Sequence, residues 1–315
     1  MGATSERRSQ KRFGIFAWIV LAYNLPVILW GAYVRASFSG DGCGAHWPFC
    51  SGQVIPQNIT VPLAIELTHR VMTGLDAIAL IVMCVWAFRL FARGHPGRFF
   101  AETSVVLMAI EALLGAGLVL FRYVAHDQSA GRAVYFSAHL LNTMLLLGAI
   151  ATTAWIASSE TATLKFREVP RLLVAAILVT LVVSVTGAIA ALGDTLFPAG
   201  SVAAGLRADA YGPSMMVRLR AVHPFASVAG AGYLVWAATG ILRREQQTGA
   251  RTAATRVLGL ILFQLVAGAI NVMLLAPVWM QLIHLFLSDL VWIAVVLLTL
   301  ESSRVRDRVP AMALT

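Results

Sequence analysis

Apolar residues fall along this chain in long blocks rather than in alternation. Eight blocks, at roughly 14–35, 62–90, 102–121, 134–157, 170–192, 216–241, 255–276 and 279–300, recur between short polar connections. Each is long enough to cross about 30 Å of hydrocarbon as a helix. The pattern predicts an all-α integral membrane protein with eight transmembrane helices. The first block is too long, and its flanks too poor in small residues, for a removed signal peptide.

Composition agrees, with 59% hydrophobic and 12% charged residues, outside the range of a soluble domain. The formal net charge of +9 raises nucleic acid as a partner, but the placement of that charge excludes it. Arg7, Arg8, Lys11 and Arg12 precede the first block, and Arg89, Arg93 and Arg98 follow the second. Lys165, Arg167 and Arg171 follow the fourth, Arg243, Arg244, Arg251 and Arg256 the sixth, and Arg304, Arg306 and Arg308 the last. In an eight-span topology all these segments lie on one side. The positive-inside rule makes that side cytoplasmic, with both termini, for a multi-pass protein of the plasma membrane surrounded by lipid.

The second half of the chain echoes the first. Trp30-Gly31-Ala32 corresponds to Thr186-Gly187-Ala188, and Glu111-Ala-Leu-Leu-Gly115 to Gln264-Leu-Val-Ala-Gly268. His69 answers to His223 and His139 to His284, with all offsets about 150 residues. An even number of crossings returns the chain to its starting side, so the expected fold is two tandem pseudo-symmetric four-helix bundles in one orientation. The expected divisions are a disordered basic leader over 1–12, a first half over 13–158, a cytoplasmic linker over 159–168, a second half over 169–301 and a cytoplasmic tail over 302–315.

Chemistry concentrates at Glu66-Leu67-Thr68-His69-Arg70, where the second helix enters the bilayer. Ionisable groups in a membrane are costly and mark functional sites, and Glu66 and His69 share a helix face. The outer loop before it, 36–61, contains Cys43 and Cys50 with six residues between them, in a compartment where disulfides persist. A bond there is either a staple, worth about 2–3 kcal/mol by loop entropy, or a redox-active pair beside the site. His46, inside that ring, reads as a surface residue.

His69, His139, His223 and His284 each lie near the outer end of an even-numbered span, and matched positions in two repeats argue against chance burial. Zinc asks for four protein or water ligands, and no third and fourth ligand recurs in both halves. Haem brings four nitrogens and asks for one or two axial ligands, which suits two histidines per half. Arg35, Arg70, Arg122, Arg132, Arg207, Arg218 and Arg220 lie near the outer boundary, where guanidinium groups pair with carboxylates such as haem propionates. The halves also differ, since Arg220 stands where the first half has Glu66, and Pro224 where it has Arg70. Only the first half has the cysteine loop. The first site is thus expected to do chemistry, and the second to transfer electrons or hold structure.

Taken together, the Glu-x-x-His-Arg stretch at 66–70, the single histidines at 139, 223 and 284, and the loop from Gly31-Ala-Tyr-Val-Arg35 through Cys43 and Trp47-Pro48-Phe49-Cys50 resemble the haem A synthase family. The resemblance covers roughly 14–300. It implies an oxidoreductase that oxidises a ring methyl of haem O to the formyl of haem A for terminal oxidases, with water as the oxygen source. It implies that His69 and His139 flank substrate haem O, that His223 and His284 ligate a haem B cofactor, and that Glu66 is the essential acid. Implied partners are a haem O synthase and an electron acceptor. The loop departs from the family in having Ala45-His46 before Trp47-Pro48, where an acid is common. The competing class is a bis-histidine dihaem cytochrome that takes electrons from quinol and leaves haem unmodified. A tandem-repeat transporter ranks last, because its polar groups would lie at the midplane.

Overall fold

The computed structural model describes residues 3–159, 169–212 and 214–303. The linker and tail positions 160–168 and 304–315, with Lys165, Arg167, Arg304, Arg306 and Arg308, lie outside the described residues. Among the described residues there are ten α-helices and no β-strand: α1 Ala3–Ala36, α2 Val61–Leu90, α3 Pro96–Leu120, α4 Ala130–Ser158, α5 Arg171–Leu196, α6 Val202–Tyr211, α7 Met215–Arg220, α8 Val222–Arg244, α9 Thr248–Met273 and α10 Val278–Ser302. Among the described residues eight spans are long and apolar enough to cross a membrane, the sixth of them, Met216–Arg244, taking in most of α7 and all of α8. In hydrocarbon a helix satisfies its own backbone groups, which is why these apolar blocks take this form.

Helix starts follow local chemistry. Thr60 caps α2 by accepting from Leu63 N–H, with proline in the first turn, and Ser129 caps α4 by accepting from Arg132 N–H. Proline in the first turn suits a helix start, whose first N–H groups lack partners in any case. The sixth span is broken at Ala221, the residue between α7 and α8. Pro224 accounts for the break, because its ring lacks an N–H and collides with the carbonyl four residues back, that of Arg220.

One expectation is corrected. The basic segment 1–12 was expected to be disordered, yet α1 runs from Ala3. Arg, Lys and Gln are good helix formers, and a formed helix propagates cheaply into them. Between the fifth and sixth spans, α5 continues to Leu196 and α6 follows, capped by Ser201.

Neighbour relations repeat. In the first half α1 packs on α2, α2 on α3, α3 on α4, and α4 closes on α1. In the second α5 packs on α8, α8 on α9, α9 on α10, and α10 closes on α5. This shared order is what a duplicated four-helix unit gives. The halves meet where α4 packs on α5 and α10, and α1 on α10. Across that seam Trp292 Nε1 donates to Met144 O at 2.7 Å, and Trp155 Nε1 to Glu301 Oε1 at 2.8 Å. Gly148 leaves room for the Trp292 ring, which a Cβ there would approach to 3.3 Å. So α4 and α10 are the inner helices, while α2 turns Val71, Leu75, Ile78, Val82 and Val85 outward as a lipid-facing stripe.

Candidate functional site

The four histidines lie on α2, α4, α8 and α10, and each faces a glycine of the preceding span. A Cβ on Gly31 would lie 2.8 Å from His69 Cε1, one on Gly187 3.0 Å from His223 Cε1, and one on Gly268 3.0 Å from His284 Cε1. At Gly115 the distance to His139 Cε1 is 3.8 Å. The glycines that mark the repeat therefore have a steric reason, since at three of them any side chain would push an imidazole out of place.

In the second half the His223 and His284 ring centroids are 6.3 Å apart, with planes at 78°. Metal–imidazole bonds are about 2.0–2.1 Å, so two imidazoles on opposite sides of one metal have centroids roughly 6 Å apart. The spacing fits a single shared ion. In the first half His69 and His139 are within electrostatic reach of each other. Among the described residues no three His, Cys, Asp or Glu side chains converge on a point suited to a bare metal ion. A histidine pair without further protein ligands fits an iron whose other four ligands come from a macrocycle. Nδ1 of His69, His139 and His284 is buried without a hydrogen-bond partner, a polar atom left unmatched by the protein at each of these rings.

Glu66 is buried one turn from His69, and both its oxygens are engaged. Oε2 accepts from the backbone N–H of Cys43 at 2.8 Å, and Oε1 pairs with Arg70 Nη2 at 2.5 Å and Nε at 3.2 Å. Arg70 Nη1 in turn donates to the carbonyls of His46 at 2.9 Å and of Pro48 and Phe49 at 3.2 Å each. Cys43 and Cys50 are joined as a disulfide and buried against Leu63 and Leu67 of α2, while Cys84 is free. The ring they close is thus tied to α2 by its sulfurs, by one backbone N–H and by three carbonyls. Its own side chains at His46, Trp47 and Phe49 are exposed.

The arginines divide into groups. Arg35 reaches from α1 into the second half, donating from Nη1 to Ala191 O at 2.7 Å and to Thr195 Oγ1, and from Nη2 to Gln281 Oε1 at 2.9 Å. Arg132 closes the turn before α4 through the carbonyls of Ala125 at 2.6 Å and Asp127 at 2.8 Å. Arg220 pairs with Asp194 at 3.0 Å and Asp209 at 2.6 Å, joining α5, α6 and α7. Arg122, Arg207 and Arg218 are exposed.

Sequence reasoning gave no chemical role to several acids within the spans. Glu111 of α3 lies with Oε1 3.3 Å from His139 Nδ1, and accepts from Asn142 Nδ2 at 2.6 Å and from Thr143 Oγ1. Asp76 accepts from Asn24 Nδ2 at 2.9 Å, and Asp289 of α10 is fully buried with neither oxygen partnered. The signal was present in each case, as an acid inside an apolar span.

The fold defines a polytopic helical membrane protein with a matched pair of histidines in each half. The chain matches the COX15-CtaA family, described as cytochrome oxidase assembly protein, over residues 14–296, and it belongs to that family. It is 44% identical over 291 residues to a protein of Thermus thermophilus named protoheme IX farnesyltransferase, covering 91% of this chain and 48% of that one. It is 38% identical over 111 residues to the heme A synthase of Alkalihalophilus pseudofirmus, covering 35% of this chain and 37% of that one. With the heme A synthase of Exiguobacterium sibiricum it shares 33% identity over 183 residues, 56% of this chain and 59% of that one. The chain spans about half the length of the curated relatives it matches.

Proposed function

We propose that this chain is a haem A synthase, an oxidoreductase that converts a ring methyl of haem O into the formyl group of haem A for terminal oxidases. The observation that carries the reading is the asymmetry of two otherwise matched sites. Both halves set a histidine pair against glycines, but only the first places a buried acid, tied to a disulfide ring, one turn from a histidine. Family membership and the relatives named heme A synthase support it.

In this reading His69 and His139 hold haem O as substrate, and His223 and His284 hold a resident haem B. Bound haem B supplies one-electron redox chemistry. Glu66 serves the first site by accepting a proton from water or by stabilising positive charge that develops on the substrate. Oxidation of the methyl to a formyl group with oxygen from water consumes one water and releases four protons and four electrons, the electrons leaving to an acceptor outside the chain. Arg122 and Arg218 are the exposed cations for propionates. Arg35, Arg70, Arg132 and Arg220 serve them only by sharing their present partners.

Charge placement supports a plasma-membrane protein with both termini cytoplasmic and both sites near the outer face. The relative named protoheme IX farnesyltransferase supports a working partnership with a haem O synthase, which makes the substrate. The test is pigment extraction from cells that make haem O, with and without this chain. Haem A present only with the chain is the expected result. Unchanged haem O, with haem retained in the purified protein, would favour the quinol-oxidising cytochrome instead.

A further inference from the structure

The two halves treat their histidines differently beyond Glu66. Glu111 and Gln264 occupy matching places, each four residues before the glycine that receives a histidine, Gly115 or Gly268. The carboxylate of Glu111 lies 3.3 Å from His139 Nδ1. The Gln264 amide lies beside His284, with its nitrogen 3.4 Å from Nε2, and carries no charge.

Glu111 is also fixed from behind. The two hydrogens of Asn142 Nδ2 go to Leu107 O at 2.9 Å and to Glu111 Oε2 at 2.6 Å. The Thr143 hydroxyl lies between Glu111 Oε1 and His139 O, and its single hydrogen serves one of them. Asn142 and Thr143 follow His139 on α4 by three and four residues, so one helical turn presents the imidazole and the clamp for its neighbour together. His139 Nδ1 is buried and has no aligned hydrogen bond. At 3.3 Å from a carboxylate oxygen, a small rotation of the ring supplies one.

We propose that Glu111 is a positioning residue for His139, its carboxylate taking the Nδ1–H and so turning Nε2 toward the haem of the first half. A histidine that ligates a metal ordinarily gives its second N–H to a carboxylate or carbonyl, which fixes the tautomer and makes the ligand a stronger donor. Each half then has one histidine anchored through Nδ1: His139 by Glu111, and His223 by Thr186 Oγ1 at 3.1 Å. Only the first-half anchor is an acid. That difference makes His139 the stronger donor and lowers the reduction potential of the iron it holds.

The inference rests on the assignment of His139 as a ligand, and the test separates the two. Purified full-length protein is loaded with haem B and titrated spectroelectrochemically, and the component lost in His139→Ala is taken as the first-half signal. Glu111→Gln is expected to raise the midpoint potential of that component and weaken its haem affinity on the order of 10-fold, leaving the other component unchanged. Asn142→Ala, which frees Glu111 without touching His139, is expected to move the potential the same way by less. A Glu111→Gln protein that keeps the second component and shows wild-type potential and affinity in the first overturns the proposal. Where Glu111→Gln loses both components through misfolding, an unshifted Asn142→Ala potential overturns it. If His139→Ala removes no component, the ligand assignment itself fails, and this inference with it.

Discussion

The carboxylate of Glu66 and the backbone N–H of Cys43 are hydrogen-bonded at 2.8 Å, which joins the acid of the first site directly to the disulfide ring. The same acid holds Arg70, and Arg70 holds three carbonyls of that ring. Whatever loosens the ring therefore loosens the acid. A staple on an exposed loop would act on stability alone, whereas this one reaches the residue proposed to do the chemistry.

The first prediction follows from that tie. Cys43→Ser with Cys50→Ser should cost about 2–3 kcal/mol of loop stability. It should also reduce haem A formation at equal protein level, with the haem of the second half retained. Differential alkylation with mass analysis should find the two cysteines linked in protein prepared without reductant. Free thiols in active protein would contradict the account, as would full activity of the double variant.

The glycines make a graded prediction. Gly31→Ala places a Cβ 2.8 Å from His69 Cε1, and Gly115→Ala places one 3.8 Å from His139 Cε1. The first should cost about 1–3 kcal/mol through overpacking and lower first-half haem occupancy, while the second should be tolerated. Haem-to-protein ratios of the two variants, compared with His69→Ala, provide the check. Equal occupancy in both alanine variants would show that the histidine–glycine contacts do not set ligand position.

The second half makes a prediction of its own. With ring centroids 6.3 Å apart, His223 and His284 are spaced to share one iron. Alanine at either should strip or loosen the haem proposed for this half, seen as loss of its low-spin bands in the reduced spectrum. A double variant with an unchanged spectrum would remove both from the ligand set.

Arg220 supplies a stability test. It balances Asp194 and Asp209, so Arg220→Met leaves two carboxylates facing each other without their cation. Removing one member of such a buried group costs about 3–5 kcal/mol, and the partial exposure of the two acids places the expectation at the lower end. Thermal unfolding in detergent measures it. A shift no larger than that of Arg218→Met, at an exposed position, would show that the network carries no stability.

How far these features could be read from sequence depended on whether their partners lie along one helix or across several. The eight spans were legible because hydrocarbon demands apolar blocks, and the histidines because duplication put them in register. The Glu66–Arg70 pair was legible from its spacing of four. Its link to Cys43 was not, because a backbone N–H has no side-chain signature. Glu111 was visible as half of a repeat, but its meaning waited on Asn142 and Thr143, which reach it from the neighbouring helix. Arg220 was read as a propionate partner because its acids lie on α5 and on α6, a ten-residue helix hidden in an apparent loop. In the leader, charge suggested disorder where helix propagation prevailed.

The central claim is that the first half oxidises haem O and needs an ionisable Glu66 to do so. Gln at this position keeps the size and much of the hydrogen bonding but cannot ionise. Wild type and Glu66→Gln should be expressed at equal membrane levels in cells that make haem O, and their extracted pigments resolved by chromatography and mass. The account predicts haem A with the wild type. With Glu66→Gln it predicts accumulated haem O or its singly hydroxylated form, while the low-spin haem of the second half remains. Haem A at the wild-type level from Glu66→Gln would contradict it.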